Sequence, residues 1–285
     1  MPTQKQLYLY NRQRLQFPML IDEELLRFEQ QWIGQYLGPL EKVVTDFSHW
    51  KERFQQLMAM EAAATPESAQ YVGHHMTREE FSVLVQEFAV DGLTEAQAFY
   101  FILPRLPFAA QMPMLRIMID EFGCGNLKRA HSTLYIHLLE ELEMPVTLEH
   151  YIECIEEPGF AFVNLFLWLT RRPRPRSFYA GAITYLETVI PRFFTCYVQA
   201  CDRLAIKAHA YYSEHCHIDA FHAEEGQRLL RTLHKEGALN ADHAWQGVCL
   251  AAQITEEAFE TAVSKARQGG WEAPRKPREG AASCQ

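Results

Sequence analysis

The stretch YYSEHCHIDAFHAEEG, residues 211–226, decides both the fold and the chemistry predicted for this chain. It contains no proline, and its only glycine is the last residue, so it can form one continuous helix. His215, Asp219 and His222 have the spacing i, i+4, i+7 and therefore share one narrow face of that helix. Tyr211, four residues before His215, lies on the same face. The stretch predicts a helix that presents two imidazoles and a carboxylate in one direction.

Two interpretations of this face are open. It can be a solvated polar surface, as expected for His217, which points almost directly away from the other histidines. Alternatively, two imidazoles and a carboxylate can bind a divalent transition metal, and nitrogen with oxygen ligands favours iron, manganese or zinc. One helix cannot complete such a site, so the metal interpretation requires inward-facing acids and histidines on other helices.

Four residues on other predicted helices meet this requirement. Glu187 shares its face with isoleucines four residues before it and three after it, and a buried carboxylate needs a cation or a proton. Alternatively, Glu187 lies at the edge of the core and pairs with an arginine. His131 lies on an apolar stripe of its helix and can instead be a core histidine that is hydrogen bonded there. Glu121 ends a helical run just before the break GCGN (123–126). Glu95 is the fourth candidate; alternatively, it is an ordinary acid in the first turn of a helix, where the helix dipole stabilises a negative charge.

Apolar residues recur at helical spacing along nearly the whole chain, and no alternating strand pattern or internal repeat is present. Thr77 and Glu80 are spaced as a capping box, whereas residues 65–75 indicate a polar break. The pattern predicts one all-α domain over residues 1–268 and a flexible tail over residues 269–285. The predicted helical runs are 20–37, 47–64, 81–90, 93–107, 112–122, 127–144, 147–157, 160–171, 178–200, 202–232 and 240–267.

Composition excludes several classes of protein. The net charge of −9 argues against a nucleic-acid-binding protein, which needs a basic surface. The longest apolar run, residues 160–169, is too short to span a bilayer, and the first residues lack the apolar region of a secretory signal. The seven cysteines are scattered and form no C-x-x-C pair, as expected for reduced thiols in a cytosol. We therefore expect a cytoplasmic protein with no membrane or nucleic-acid partner.

The segments EHCHIDAFH (214–222) and DEFGCGNLKRAHSTLY (120–135), together with Glu187, resemble the haem-oxygenase-like di-iron oxidases and oxygenases. That family is related to thiaminase-like and pyrroloquinoline-quinone-synthase-like helical proteins. The resemblance covers about residues 77–235 and implies an all-α, haem-oxygenase-like helical bundle. The iron ligands that it implies here are Glu95, Glu121, His131, Glu187, His215, Asp219 and His222.

Two of these ligands are assigned by their position relative to other residues. Glu121, ten residues before His131, matches an additional glutamate ligand of the N-oxygenating branch of the family. Glu87 lies near Glu95 and is an alternative for the first ligand. Glu121 and Tyr211 are the candidate catalytic residues. Tyr211, one turn before His215, either supports the ligands or is simply part of the core.

The resemblance implies a non-haem di-iron oxidoreductase in which two Fe(II) ions react with O2 through a peroxo-diferric intermediate. No flavin, nicotinamide or haem motif is present, so the electrons come from a small external reductant, an electron-donor protein or the substrate. The expected reaction is N-oxygenation of the amine of an amino acid or related small metabolite in a biosynthetic pathway. The alternative is oxidative C–C cleavage of an amino or fatty acid. A homodimer is compatible with the sequence.

Two other classes of function stay open. A metal-free, thiaminase-like enzyme would use a cysteine nucleophile, for which Cys124 and Cys201 are the candidates. A non-catalytic binding protein could use the arginines of RRPRPR (171–176) to hold an acidic partner. For a substrate carboxylate, the candidate basic residues are Arg105, Arg116 and Arg129.

Overall fold

The computed structural model describes residues 1–37, 43–172 and 176–269. These residues form helices and no β-strand, which confirms the all-α, haem-oxygenase-like helical bundle. Short 3₁₀ helices lie at Glu95–Phe99, Leu103–Arg105, Gly123–Gly125 and Leu127–Arg129. The α-helices are α1 (Gln4–Gln16), α2 (Glu23–Tyr36), α3 (Phe47–Ala63), α4 (Glu67–His74), α5 (Arg78–Glu87), α6 (Ala89–Gly92), α7 (Phe108–Glu121), α8 (His131–Glu141), α9 (Leu148–Ile152), α10 (Glu157–Arg171), α11 (Ser177–Arg203), α12 (Ala210–Lys235) and α13 (Ala241–Arg267).

The helices α11, α12 and α13 form the centre of the bundle because glycines let their backbones approach closely. A Cβ atom on Gly181 would lie 1.8 Å from the backbone oxygen of Ala244, and one on Gly247 would lie 2.0 Å from that of Phe178. Only glycine is compatible with this crossing of α11 and α13. The first eleven residues of α11 (177–187) are all buried as a result.

The contact between α11 and α12 is also made through a glycine. A Cβ atom on Gly226, the last residue of the opening stretch, would lie 2.9 Å from the Cα atom of Thr184. Glu187 follows Thr184 by three residues, and His222 precedes Gly226 by four. The close approach therefore brings Glu187 and His222 to the same level of the bundle.

The structure corrects several predicted helices. Residues 93–107 contain two short 3₁₀ helices in place of the predicted helix, and Glu95, where the first begins, has a φ of +39° that an α-helix does not allow. The predicted helix 127–144 is shorter, since Ala130 is extended, and α8 begins at His131. The predicted break at 65–75 is wrong, because it contains α4, and α1 was not predicted at all.

One further prediction from the sequence is confirmed, and others stay predictions. The capping box of Thr77 and Glu80 is confirmed: each side chain accepts a hydrogen bond from the backbone N–H of the other. The extent of the domain, residues 1–268, stays a prediction. The predicted tail from residue 270 onward, and residues 173–175 of the arginine-rich connection, lie outside the described residues. Across the described ranges, no helix is both long and apolar enough to cross a membrane.

Candidate metal centre

Six of the seven predicted ligands meet in the interior, where they form two groups. The first group comprises Glu95, Glu121, His131 and His215. The second comprises Glu121, Glu187 and His222. Within each group, one potential ligand atom per residue lies within 4.8 Å of the others. Glu121 belongs to both groups and so occupies the centre of the site.

Five of the described elements carry these residues. Glu121 is the last residue of α7, and His131 is the first residue of α8. Glu187 lies near the middle of α11, and the two histidines 215 and 222 lie on one face of α12. Glu95 begins a 3₁₀ helix. The face predicted from the i, i+7 spacing of α12 therefore does point inward.

In the first group, the two closest atoms face each other without forming a hydrogen bond. Nδ1 of His131 lies 2.7 Å from Oε2 of Glu121, yet neither atom has a hydrogen-bonding partner of acceptable alignment among the described residues. Nε2 of His215 lies 3.6 Å from Oε1 of Glu95, and the rings of His131 and His215 are 4.2 Å apart. Buried polar atoms that converge without bonding to one another are typical of a site that takes a ligand.

The second group is centred on His222, of which only 1% is exposed. Its Nδ1 lies 3.2 Å from Oε2 of Glu187 and 3.5 Å from Oε1 of Glu121. The two carboxylate oxygens of Glu121 therefore face different groups: Oε2 faces His131, and Oε1 faces His222.

The orientation of His215 is determined by its own helix. Its Nδ1 lies 2.6 Å from the backbone oxygen of Tyr211, one turn earlier in α12. A carbonyl oxygen only accepts, so Nδ1 carries the proton and donates it, and the lone pair of Nε2 faces Glu95. The hydroxyl of Tyr211 donates to Oε2 of Glu95 at 3.1 Å. Burial and then the charge of Glu95 raise the pKa of Tyr211 well above its ordinary value, so this hydroxyl stays protonated and remains a donor.

Burial and the neighbouring imidazoles shift the pKa values of the carboxylates in this site in opposite directions. Burial alone would raise the pKa of Glu121, but the facing charge of His131, followed by those of His215 and His222, lowers it to about 2. Burial raises the pKa of Glu95, and the charge of Glu121 raises it further, whereas the nearby imidazoles of His215 and His131 lower it. A cation in the site would stabilise both carboxylates in their charged forms.

The glycine-rich break after α7 brings His131 back towards Glu121. Gly123, Cys124 and Gly125 all have positive φ, at +59°, +54° and +81°. A Cβ atom on Gly123 would lie 2.5 Å from the backbone carbon of Arg129, so the chain passes close to itself here. This tight reversal places the start of α8 beside the end of α7.

The structure distinguishes Glu95 from its alternative, Glu87. Glu95 lies in the site, whereas its alternative Glu87 lies elsewhere, 2.7 Å from Nζ of Lys265 and accepting from the backbone N–H of Glu156. Asp219 is part of α12, and its side chain lies outside the described part of the structure.

The candidate carboxylate-binding arginines are engaged within the protein. Arg116 pairs with Glu225 at 3.2 Å, and Arg129 lies 4.0 Å from Glu214. Arg105 donates to the backbone oxygen of Leu169.

The structure gives little support to a cysteine nucleophile or to an arginine-rich binding segment. Cys201 is fully buried, and burial raises its pKa to about 12, which disfavours the thiolate that a nucleophile needs. Cys124 is exposed beside the site. Arg171 and Arg172 bond to the backbone or side chain of Asn11, so these two arginines fasten α10 to α1.

Sequence reasoning missed Asp120, which contacts the site. Its Oδ2 lies 3.4 Å from Nε2 of His222, on the opposite side of the ring from Glu187. Its only signal in the sequence is its position next to Glu121.

The residues present fit iron. Three carboxylates and three imidazoles supply the oxygen and nitrogen donors that ferrous iron prefers, and Nδ1 of His131 and Oε2 of Glu121 are buried, convergent and not hydrogen bonded. In this set, Glu95, His131 and His215 would hold one ion, Glu187 and His222 a second, and Glu121 would reach both.

Comparison with known proteins agrees with this donor set. Residues 82–256 match the family described as iron-containing redox enzymes, and this segment contains every residue of the site. Nitrosourea synthase from Streptomyces achromogenes subsp. streptozoticus is 28% identical over 142 residues. The match covers 48% of this chain and 29% of that enzyme, so the chain spans less than a third of the length of its relative. Because the family match extends over more than half of its length, the chain belongs to the family of iron-containing redox enzymes.

Proposed function

We propose that this protein is a di-iron oxygenase that uses O2 to oxygenate the amine nitrogen of an amino acid or a related small metabolite. The observation that carries the proposal is the pair of residue groups that share Glu121, with one carboxylate oxygen facing each group. A carboxylate between two groups of this kind is suited to hold two cations at one site.

Bound ferrous iron supplies electrons for the activation of dioxygen. Tyr211 positions two of the ligands. Its carbonyl fixes the proton of His215 on Nδ1, and its hydroxyl donates a hydrogen bond to Glu95. Aromatic rings of Phe194 and Tyr135 pack around His215 and Tyr211, respectively, and keep water away from this side of the site.

The overall reaction balances with one external reductant. An amine R–NH2 and O2 give R–NHOH and water when two electrons and two protons are added. The amine nitrogen gives up two electrons, and a small reductant or an electron-donor protein supplies the other two. The relative named nitrosourea synthase supports N-oxygenation, since a nitrosourea carries oxygen on nitrogen.

The test is metal binding followed by product analysis. We expect anaerobic titration to show two Fe(II) ions per chain, one for each group. Glu121→Ala and His215→Ala should lower this stoichiometry, whereas the matched variant His217→Ala, on the exposed side of the same helix, should not. Unchanged iron binding in both site variants would overturn the proposal.

Product analysis separates N-oxygenation from its alternative. With the two-iron protein, O2 and a reductant, a library of ¹⁵N-labelled amino acids and amines should yield a product with a new N–O bond and ¹⁸O from ¹⁸O2. Formation of carbon dioxide or a shortened carbon chain, without an N–O bond, would instead establish oxidative C–C cleavage.

A further inference from the structure

Asp120 makes a contact that none of the proposed ligand assignments uses. It precedes Glu121 in the last turn of α7, and its Oδ2 lies 3.4 Å from Nε2 of His222. Its other oxygen, Oδ1, accepts from the Sγ of Cys124 at 3.5 Å. The side chain is 29% exposed, whereas the side chain of His222 is 1% exposed. Asp120 therefore stands between the buried ring of His222 and the surface.

The two nitrogens of His222 face different partners. Nδ1 faces the carboxylates of Glu187 and Glu121, and Nε2 faces Asp120. A neutral imidazole has one N–H and one lone pair, and a carboxylate only accepts hydrogen bonds. With the proton on Nε2 and donated to Asp120, the lone pair of Nδ1 is directed to the second group of ligands. This orientation is the reverse of that of His215, whose Nδ1 carries the proton and whose Nε2 faces the site.

Neighbouring contacts keep Asp120 in register with α12. Arg116, one turn before Asp120 on α7, pairs with Glu225, one turn after His222 on α12, at 3.2 Å. Consecutive residues of a helix point about 100° apart, so Asp120 and Glu121 reach His222 at different ring atoms. Asp120 is not a member of either ligand group.

We propose that Asp120 is a positioning residue for His222: it accepts the Nε2 proton and so fixes the tautomer in which Nδ1 is the metal ligand. This role rests on the proposed function, in which the site binds two iron ions, and it concerns one of the two. Carboxylate partners of a metal-bound histidine set its ring orientation and raise its basicity, and their loss costs roughly 10- to 100-fold in metal affinity. Only the ion held by His222 should be affected.

The experiment is an anaerobic Fe(II) titration of the full chain, repeated with Co(II), whose absorption reports its coordination. Asp120→Ala should weaken one of the two sites roughly 10- to 100-fold and leave the other unchanged. Asp120→Asn should have a smaller effect, because its amide oxygen can still accept the Nε2 proton. Ile119→Ala, an exposed neighbour in the same turn, is the matched control and should bind both ions as the wild type does.

A double-mutant cycle identifies which ion is affected. In a His222→Ala background, Asp120→Ala should cause no further loss of affinity, because the ring on which it acts is gone. Circular dichroism and thermal unfolding of the iron-free variants show whether each one folds. If Asp120→Ala does not fold, Asp120→Leu, which keeps a similar shape but has no acceptor, provides the test.

The outcomes separate this inference from the proposed function. A wild-type chain that binds fewer than two ions overturns both. A wild type that binds two ions, with Asp120→Ala weakening both equally or neither, overturns the positioning role alone. An effect of Asp120→Ala that persists unchanged without His222 also overturns it.

Discussion

Tyr211 contributes two different groups to the site, and they can be separated by mutation. Its carbonyl accepts from Nδ1 of His215, and its hydroxyl donates to Glu95. Substitution by phenylalanine removes only the hydroxyl bond. If that bond positions Glu95, loss of it should weaken the first iron ion by roughly 10-fold or more, in line with other lost partners of metal ligands.

The matched control is Tyr212→Phe, because Tyr212 is equally buried in the same turn and is not part of either ligand group. Fe(II) titration of both variants measures the effect. Equal affinities of Tyr211→Phe and the wild type would show that the hydroxyl does not position Glu95.

Glu141 makes the fold sensitive to pH away from the metal centre. Burial raises its pKa, but hydrogen bonds from the backbone N–H groups of Lys207 and Ala208 outweigh burial and hold the pKa below the ordinary value of 4.5. Because the folded state lowers this pKa, the contribution of Glu141 to stability is present above pH 4.5 and is lost as the pH falls through the folded value.

We therefore expect Glu141→Gln to be less stable than the wild type near neutral pH and to approach it as the medium becomes acidic. Denaturant unfolding of the two proteins across this range, in the same iron state, measures the difference. Glu143→Gln, at an exposed position two residues later, is the control. A gap between Glu141→Gln and the wild type that does not change with pH would contradict the linkage.

At the scale of elements, the reversal between α7 and α8 is the connection on which the centre depends most. Gly123 and Gly125 both have positive φ, but only Gly123 approaches another part of the backbone. Substitution of either by alanine should cost about 1 kcal/mol of left-handed strain. Gly123→Ala should in addition push Arg129 and His131 away from Glu121 and abolish binding of the first ion.

Gly125→Ala, with open space around its Cβ position, should keep iron binding despite its lower stability. The two variants are compared by thermal unfolding and Fe(II) titration. Equal iron affinities in both would show that the close approach at Gly123 does not position His131.

Sequence patterns predicted the parts of this site that depend on local geometry. The spacing of His215 and His222 predicted a common face because helical periodicity is fixed over seven residues. The contact between Asp120 and His222 joins residues 102 positions apart, and no local pattern contains it. The 3₁₀ geometry at Glu95 was missed for a related reason, since tertiary packing overrides the helical propensity of its segment.

The whole molecule depends on the crossing of α11 and α13 at Gly181. A methyl group there would overlap the backbone oxygen of Ala244, which cannot move without displacing α13. Gly181→Ala should therefore lower the free energy of unfolding by about 3 kcal/mol.

Gly34→Ala is the opposite control, because Gly34 lies in α2 with nothing near its Cβ position. It should raise the free energy of unfolding by about 0.5–1 kcal/mol, since alanine loses less backbone entropy than glycine in a helix. Denaturant unfolding of both variants provides the measurement, and a wild-type stability for Gly181→Ala would show that α11 and α13 can separate at little cost.

The position of α13 also determines how the chain folds as it is synthesised. This helix packs against α5, α10 and α11, and Lys265 bonds to Glu87, 178 residues earlier. The segments that carry the ligands leave the ribosome before α13, and until it docks, the apolar side of α11 around Gly181 has no partner. Individual helices form within about a microsecond, whereas contacts between distant parts of a chain form slowly. We therefore expect a chain that lacks α13 to expose this side of α11 and to aggregate more readily than the whole chain.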